Sequence, residues 1–394
     1  MKIGLVLAVT PGYSETFFTS KIQGLQGQGH EVVVLASKKV KGFDLCKVKL
    51  APKVYGYSFI QVPMLLLRLF LLLPYLSRVK SFVKLEKGRG TNRSQILKRL
   101  YLNAHIFSEQ LDWLHFGFAT QAIDKEFVAK SINARMGVSF RGFDLNVYPV
   151  KHPDCYDTLW QQVDKVHSIS KYLLEKAYTL GLAKTVPFSI ITPAVAIDKL
   201  PIQEEEQTIA VQPLKIVTIA RLTWIKGVDI AITAMRILKE QGVDFTYTII
   251  GDGTVRERER YQFMVHEYSL HQEVIFCGKL PHNKALELLA EANLYVQSSL
   301  NEGFCNAVLE AQAMGKLVVA SNAGALYENV LDGITGWLFE KGDANALAEQ
   351  IITISKLSHL DKIKVSKAAK ERVLEEFTIV QQQQKFVEFY TELP

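Results

Sequence analysis

Short, continuously apolar runs rich in β-branched residues alternate with stretches of helical length along nearly the whole chain. In the first half, Ile3–Val9 and Glu31–Ala36 read as buried strands around an amphipathic helix over Glu15–Gln28, and Arg135–Phe140, Lys165–Ser170 and Ser189–Val195 read as later strands. The pattern restarts after the acidic stretch that begins at Pro201. There Lys215–Ala220, Phe245–Ile250, Val274–Phe276, Leu294–Val296 and Leu317–Ala320 are predicted strands. Helices are expected between them over Val228–Gln241, Val255–Tyr268, Asn283–Glu291 and Asn306–Met314. Strands apolar on both faces and separated by helices mean parallel sheets covered on both sides. The fold class is therefore α/β, with two Rossmann-like domains in tandem: residues 1–200, a linker over 201–213, and residues 214–377. The final stretch, about 378–394, has apolar residues at helical spacing and is expected to pack back on the first domain. Ligands of such sheets bind beyond the carboxyl ends of the strands, so the expected site is a cleft where two sets of strand ends face each other.

Charge divides the halves. The net +6 of the chain hides 27 Lys and Arg against 14 Asp and Glu up to Leu200, and 19 against 26 after it. The first half concentrates its cations after an apolar stretch, Phe59–Leu76, that approaches bilayer-spanning length. Arg68 at its centre and the breaks at Pro63 and Pro74 argue against a transmembrane span. Arg78, Lys80, Lys84, Lys87, Arg89, Arg93, Lys98 and Arg99 follow, opposed only by Glu86. Residues 59–99 thus suit an anionic membrane surface; a core helix with a solvated basic face is the alternative. Nucleic acid is not expected, because no recognition motif accompanies the charge. The amino-terminal apolar run is too short for a secretory signal and reads as a first strand. Cys46, Cys155, Cys277 and Cys305 lie far apart, which argues against a disulfide framework or a structural zinc and for a reducing cytoplasm.

The chemistry-bearing motifs sit at strand–helix junctions of the second half. Arg221 and Lys226-Gly227 follow the strand Lys215–Ala220 and precede a helix. Two cations beside a helix N-terminus make an anion site suited to a diphosphate, unless they are simply surface cations of a loop. Gly251-Asp-Gly253 ends the next strand; a turn with Thr254 as helix cap explains it equally well. The most informative segment is Ser298-Ser-Leu-Asn-Glu302-Gly303-Phe304-Cys305-Asn306-Ala-Val-Leu-Glu310. Gly303 permits close backbone approach, the N–H groups of Phe304 to Ala307 suit a phosphate, and Glu310, one turn into the helix, suits the paired hydroxyls of a ribose.

Together with Gly333-(x)2-Gly336, this series resembles the donor domain of the family 4 (group 1) retaining glycosyltransferases of GT-B fold, with the Glu-x7-Glu spacing of Glu302 and Glu310 as the signature. The resemblance is strong over about Lys215 to Leu347 and looser before it. It implies that Arg221 and Lys226 bind the donor diphosphate and that Glu302 and the Gly303–Phe304 backbone face the transferred sugar. It further implies that Glu310 meets the ribose and that Cys277-Gly278-Lys279 borders the base. Cys305 replaces a commoner small residue, so a backbone role beside Asn306 is expected and no thiol chemistry. Ala323 departs from the usual glycine pair before Gly324 and narrows that loop. In the first half, Gly12 in the first βα turn is expected to cradle donor, or to be an ordinary turn residue. His115 ends a strand-like run, where the family places a histidine near the reacting carbon; the alternative is a structural histidine. Ser139-Phe-Arg141-Gly142-Phe-Asp144 resembles a box of the exopolysaccharide and lipopolysaccharide types. There Arg141 would meet an acceptor phosphate and Asp144 a sugar hydroxyl, with an internal Arg–Asp pair as the alternative.

No Asp-x-Asp occurs, so no metal and no cofactor are expected; cations and helix ends would neutralise the leaving diphosphate. The expected reaction is transfer, with retention, from a nucleotide diphosphate sugar to a saccharide or lipid-linked saccharide during cell-surface polysaccharide synthesis. The enzyme would be cytoplasmic and peripheral on the inner membrane face, with His115 and Glu302 as the catalytic residues. Two rivals remain at this level: a nucleotide-sugar epimerase of the same fold, and a non-catalytic sugar-nucleotide or membrane-surface binding protein. An oxidoreductase is not expected, because neither half contains a complete GxGxxG.

Overall fold

The computed structural model describes residues 1–12, 16–201 and 213–392. The expected turn residues Tyr13 to Glu15 and the core of the expected linker, 202–212, lie outside the described residues. The chain divides into two compact units, Met1–Ile191 with Gln382–Pro394, and Thr192–Gln381.

The first unit is built on seven parallel strands: β1 (Lys2–Val9), β2 (Glu31–Lys38), β3 (Lys47–Leu50), β4 (Trp113–Phe116), β5 (Arg135–Phe140), β6 (Lys165–Ser168) and β7 (Phe188–Ile190). Their order is β3-β2-β1-β4-β5-β6-β7. Ile3, Leu5, Leu7, Val32 and Val34 face one side and close a core with Phe17, Ile22, Trp113, Phe386, Phe389 and Tyr390. The last three belong to the final helix, Ile379–Thr391, whose end is thereby part of this unit. Each fully buried large apolar side chain contributes about 1.5–3 kcal/mol. Strand β7 is shorter than Ser189–Val195 because Pro193 has no N–H to donate to a ladder. The edge strand β3 is Lys-Val-Lys-Leu; Lys49 and, from β1, Lys2 converge on the buried carboxylate of Glu109 at 2.5 and 3.0 Å.

Between β3 and β4 the chain forms three helices, α1 having been the Thr16–Gly27 helix after β1: α2 (Ser58–Leu71), α3 (Leu76–Gly88) and α4 (Arg93–Phe107). The Asn92 side chain caps α4 by accepting from the Gln95 N–H at 2.9 Å.

The second unit holds six parallel strands: β8 (Leu214–Ile219), β9 (Phe245–Ile250), β10 (Val274–Gly278), β11 (Leu294–Gln297), β12 (Leu317–Ser321) and β13 (Trp337–Phe339). Their order is β10-β9-β8-β11-β12-β13. Helices Val228–Glu240 and Ala344–Ser355 cover one face, with Ala231, Met235, Leu238, Leu347 and Ile351 buried against Ile216, Tyr247 and Val296. Helices His282–Ala290 and Asn306–Ala313 cover the other, over Val217, Tyr295 and Val318. The four cysteines are free thiols.

Candidate active site

In the second unit the strand order reverses between β8 and β11, and the helices that follow these neighbours pack on opposite faces of the sheet, so both loops leave at the switch point beyond which such sheets bind ligands in a crevice. The two loops are tied together. The Leu300 N–H donates to the Ile225 carbonyl at 2.8 Å, and the Ser298 hydroxyl to the Lys226 carbonyl at 3.2 Å. Gly227 makes this approach possible: its φ is +60°, and a Cβ there would stand 2.1 Å from the Ser298 carbonyl oxygen. The result is an ion pair between the Lys226 ammonium and Glu302 Oε1, two residues 76 apart in sequence. The same oxygen accepts from the Ser299 hydroxyl at 2.9 Å and from Gln297 Nε2 at 3.3 Å. Gln297 is itself fixed, its Oε1 accepting from the Tyr295 hydroxyl at 2.6 Å and from Cys305 Sγ at 3.4 Å. Glu302 is also held from beneath. Its carbonyl accepts from the Ala325 N–H at 2.8 Å, and a Cβ on Gly324 would lie 2.1 Å from that oxygen.

The helix Asn306–Ala313 starts directly after this loop, with Cys305 as its cap residue and no side chain capping it. Its positive end therefore points at the crevice. Asn329 clamps the start, accepting from the Cys305 N–H at 3.0 Å and donating to its carbonyl at 3.1 Å. This corrects one expectation: the Cys305 amide is engaged by Asn329, so the helix end offers Asn306 and its neighbours, not Cys305. Burial pushes the Cys305 thiol up to about 12, with the Glu302 carboxylate adding to the effect, which removes it from thiolate chemistry. Gly303 and Phe304 are buried, and the Phe304 ring packs 5.8 Å from that of Phe377. Glu310 lies one turn in, mostly buried, with Oε1 2.8 Å from His282 Nε2. The hydrogen bond to Glu310 raises the His282 pKa above its usual value, against the opposing effect of burial.

Arg221 is exposed just beyond β8, and Lys279 is exposed just beyond β10. Gly251 ends β9, where its N–H donates to the Gly278 carbonyl at 2.9 Å. Arg221 and Lys226 thus follow β8, and Glu302, Gly303, Asn306 and Glu310 follow its neighbour β11. The sequence paired Lys226 with Arg221 as an anion site; in the structure Lys226 is also the counter-charge of Glu302.

The first-unit candidates are placed differently. His115 lies within β4, wholly buried, not at an open strand end. Its Nε2 is 2.7 Å from Ser139 Oγ and 3.2 Å from Lys21 Nζ, and its Nδ1 is 2.8 Å from the Tyr390 hydroxyl. Burial holds both His115 and Lys21 well below their usual pKa values, so the core favours the neutral forms. Asp144 is also fully buried, which corrects its expected exposure to a sugar hydroxyl. Its carboxylate accepts from the Arg141 N–H at 3.0 Å and from Thr120 N and Oγ1 at 3.2 and 2.9 Å; burial raises its pKa against these bonds. The bond to Arg141 is through the main chain. The guanidinium instead lies over the rings of Phe17, Phe18 and Phe118, at 4.1, 5.1 and 5.4 Å. Gly12 is half-buried after β1, next to residues outside the description.

Gln297, Ser299, Asn329 and His282 were missed. Only Gln297 and Ser299 carried a signal, as polar residues bounding the end of an apolar strand. Among the described residues, no three His, Cys, Asp or Glu side chains form a metal-binding group.

Residues 201–372 match the family model of glycosyl transferases group 1. Over 96% of both chains, the protein is 27% identical to the amylovoran biosynthesis glycosyltransferase AmsK of Erwinia amylovora. It is 28% identical, again over 96% of both, to the colanic acid biosynthesis glycosyltransferase WcaL of Escherichia coli. Among solved structures, Anabaena HepE in complex with UDP-glucose superposes with a TM-score of 0.73 at 15% identity, covering all of both chains. The two parallel sheets of seven and six strands are those of the GT-B fold.

Proposed function

We propose that this group 1 glycosyltransferase of GT-B fold moves a sugar from a nucleotide diphosphate sugar to the hydroxyl of a saccharide or lipid-linked saccharide, with retention, in the synthesis of an exopolysaccharide. The observation that carries the proposal is the Lys226–Glu302 pair at the point where the strand order reverses, flanked by Arg221 and the uncapped start of the Asn306–Ala313 helix. The names of AmsK and WcaL support the polysaccharide context, and the UDP-glucose bound by HepE makes UDP-sugars the first donors to test.

In this reading, the donor diphosphate lies against Arg221, Lys226 and the helix end. An ammonium has three N–H donors, so Lys226 serves Glu302 and a phosphate together. Glu310 takes the ribose hydroxyls. Glu302 Oε1 is held by three donors, which leaves Oε2 to orient a hydroxyl of the transferred sugar. The acceptor oxygen bonds to the anomeric carbon on the face from which the diphosphate departs, and the departing phosphate oxygen takes the acceptor's proton. Glu302 positions and stabilises charge without becoming a covalent nucleophile. Cations and helix dipole supply the neutralisation without a metal.

Incubating the protein with UDP-sugars and oligosaccharide acceptors, followed by NMR of the product, tests this. The proposal expects an α-configured product from an α-configured donor, undiminished by EDTA. A changed donor sugar in the absence of acceptor would identify an epimerase, and donor binding without turnover a binding protein.

A further inference from the structure

The first unit carries an exposed surface that glycosyl transfer from a sugar nucleotide does not use. Helix α2 has no buried residue, although it is almost entirely apolar. Phe59, Val62, Leu66 and Phe70, spaced by three, four and four, fall on one face, and Phe59, Leu66 and Phe70 are 75, 61 and 66% exposed. Leu73 and Leu76 continue the exposed apolar line through the break before α3. On α3 the line becomes cationic, with Lys80, Lys84 and Lys87 at the same spacing and exposed.

The inner sides of these helices are fixed to the unit. Phe82 of α3 is buried 5.3 Å from Phe107, and Arg78 donates to the Phe107 carbonyl at 2.7 Å. The buried Glu86 accepts from Thr91 at 2.7 Å and Arg99 at 2.6 Å. Arg99 also pairs with Asp124, and Arg89 lies 3.4 Å from Glu126. These bonds withdraw Arg78, Arg89 and Arg99 from the basic cluster that the sequence suggested. Lys80, Lys84 and Lys87 are exposed and take part in none of these ion pairs.

No single helix is long and apolar enough to cross a membrane, and α2 with the segment Leu73–Gly88 is bent by 52°. A rigidly held, bent pair with an apolar edge continuous with a row of lysines fits an interface between hydrocarbon and anionic headgroups.

We propose that α2 and α3 dock this protein on an anionic lipid bilayer. Phe59, Val62, Leu66, Phe70 and Leu73 enter the acyl boundary, while Lys80, Lys84 and Lys87 meet lipid phosphates. The cationic row selects this occupant over a second copy of the chain, whose identical surface would bring the lysines together or leave them unpaired.

The test is co-sedimentation of the full chain with vesicles of phosphatidylcholine alone or with about one third phosphatidylglycerol. The wild type is expected to bind the mixed vesicles, and increasingly so as salt is lowered. Each headgroup lysine is worth roughly fivefold in partition, so Lys80→Gln/Lys84→Gln/Lys87→Gln should lower it by about 100-fold and weaken the salt dependence. Leu66→Ser/Phe70→Ser should lower it at least tenfold at every salt concentration. These side chains are exposed, so thermal unfolding should match the wild type in both variants. Wild-type protein left in the supernatant at low salt would overturn the proposal. So would either variant partitioning like wild type. Sedimentation velocity showing a dimer that Leu66→Ser/Phe70→Ser dissociates, without vesicle binding, would assign the surface to a second copy instead.

Discussion

The Lys226–Glu302 pair makes a quantitative prediction about the second unit. The two side chains are 17 and 10% exposed, and Glu302 Oε1 also accepts from Ser299 and Gln297. Replacing Lys226 by Met leaves a mostly buried carboxylate with two neutral donors and no counter-charge. Breaking a fully buried pair in this way costs about 3–5 kcal/mol, and the residual exposure here lowers the expectation to about 2 kcal/mol. In a unit of this size that corresponds to a melting temperature lower by about 4–8 °C. Glu302→Gln keeps the shape and the bonds to its neighbours and frees a lysine that can turn to water, so about 1 kcal/mol is expected. The double variant has no stranded charge. It should be less destabilised than the sum of the singles, with a coupling of about 1–2 kcal/mol. Thermal and urea unfolding of the four proteins measures this cycle. Additivity within about 0.5 kcal/mol would show that the residues do not form the coupled unit from which the site was built.

Three further predictions concern other groups. His282 is held protonated above its usual pKa by Glu310, so this pair stabilises the fold fully below pH ~6.5 and ceases to do so as pH rises through the raised value. Because the neutral ring releases the carboxylate, affinity for a UDP-sugar should rise over that pH interval. His282 is mostly exposed, which limits the step to less than about fivefold; calorimetry should show it in wild type and not in His282→Ala. Gly324→Ala forces a Cβ at φ +58° to within 2.1 Å of the Glu302 carbonyl, whereas Gly342→Ala, at φ +84°, meets nothing nearer than 4.0 Å. The first should lower both melting temperature and turnover, and the second should cost only the left-handed strain of about 1–2 kcal/mol in stability. Lys21 has its pKa depressed by burial, so the unfolded chain binds the extra proton and stability rises with pH. Lys21→Met should flatten that slope and match or exceed wild-type stability near neutral pH, as followed by urea unfolding at several pH values.

The architecture was legible because strands buried on both faces read as unbroken apolar runs, and because each chemical motif sat at a strand–helix junction. Edge strands β3 and β13 were not legible, being three or four residues long and, in β3, interrupted by lysines. At the site, spacing identified Glu302 and Glu310 but not their partners. Lys226 meets Glu302 across 76 residues and Asn329 meets Cys305 across 24, contacts that only the closed sheet creates. His115 and Asp144 show the opposite failure. Both stand at strand ends or near them in sequence, but the final helix and the Thr120 turn bury them, and no local pattern encodes that cover. The basic segment was legible as charge, yet the sequence could not say that Arg78, Arg89 and Arg99 turn inward.

Isothermal titration of UDP-sugars into wild type and Lys226→Ala tests the central claim, that the crevice beyond β8 and β11 holds a nucleotide diphosphate sugar. Loss of one charged donor to a phosphate is worth about 1.5–3 kcal/mol. Binding is therefore expected to be saturable and to weaken roughly 10- to 150-fold in a variant whose circular dichroism matches the wild type. Unchanged affinity in folded Lys226→Ala would contradict it.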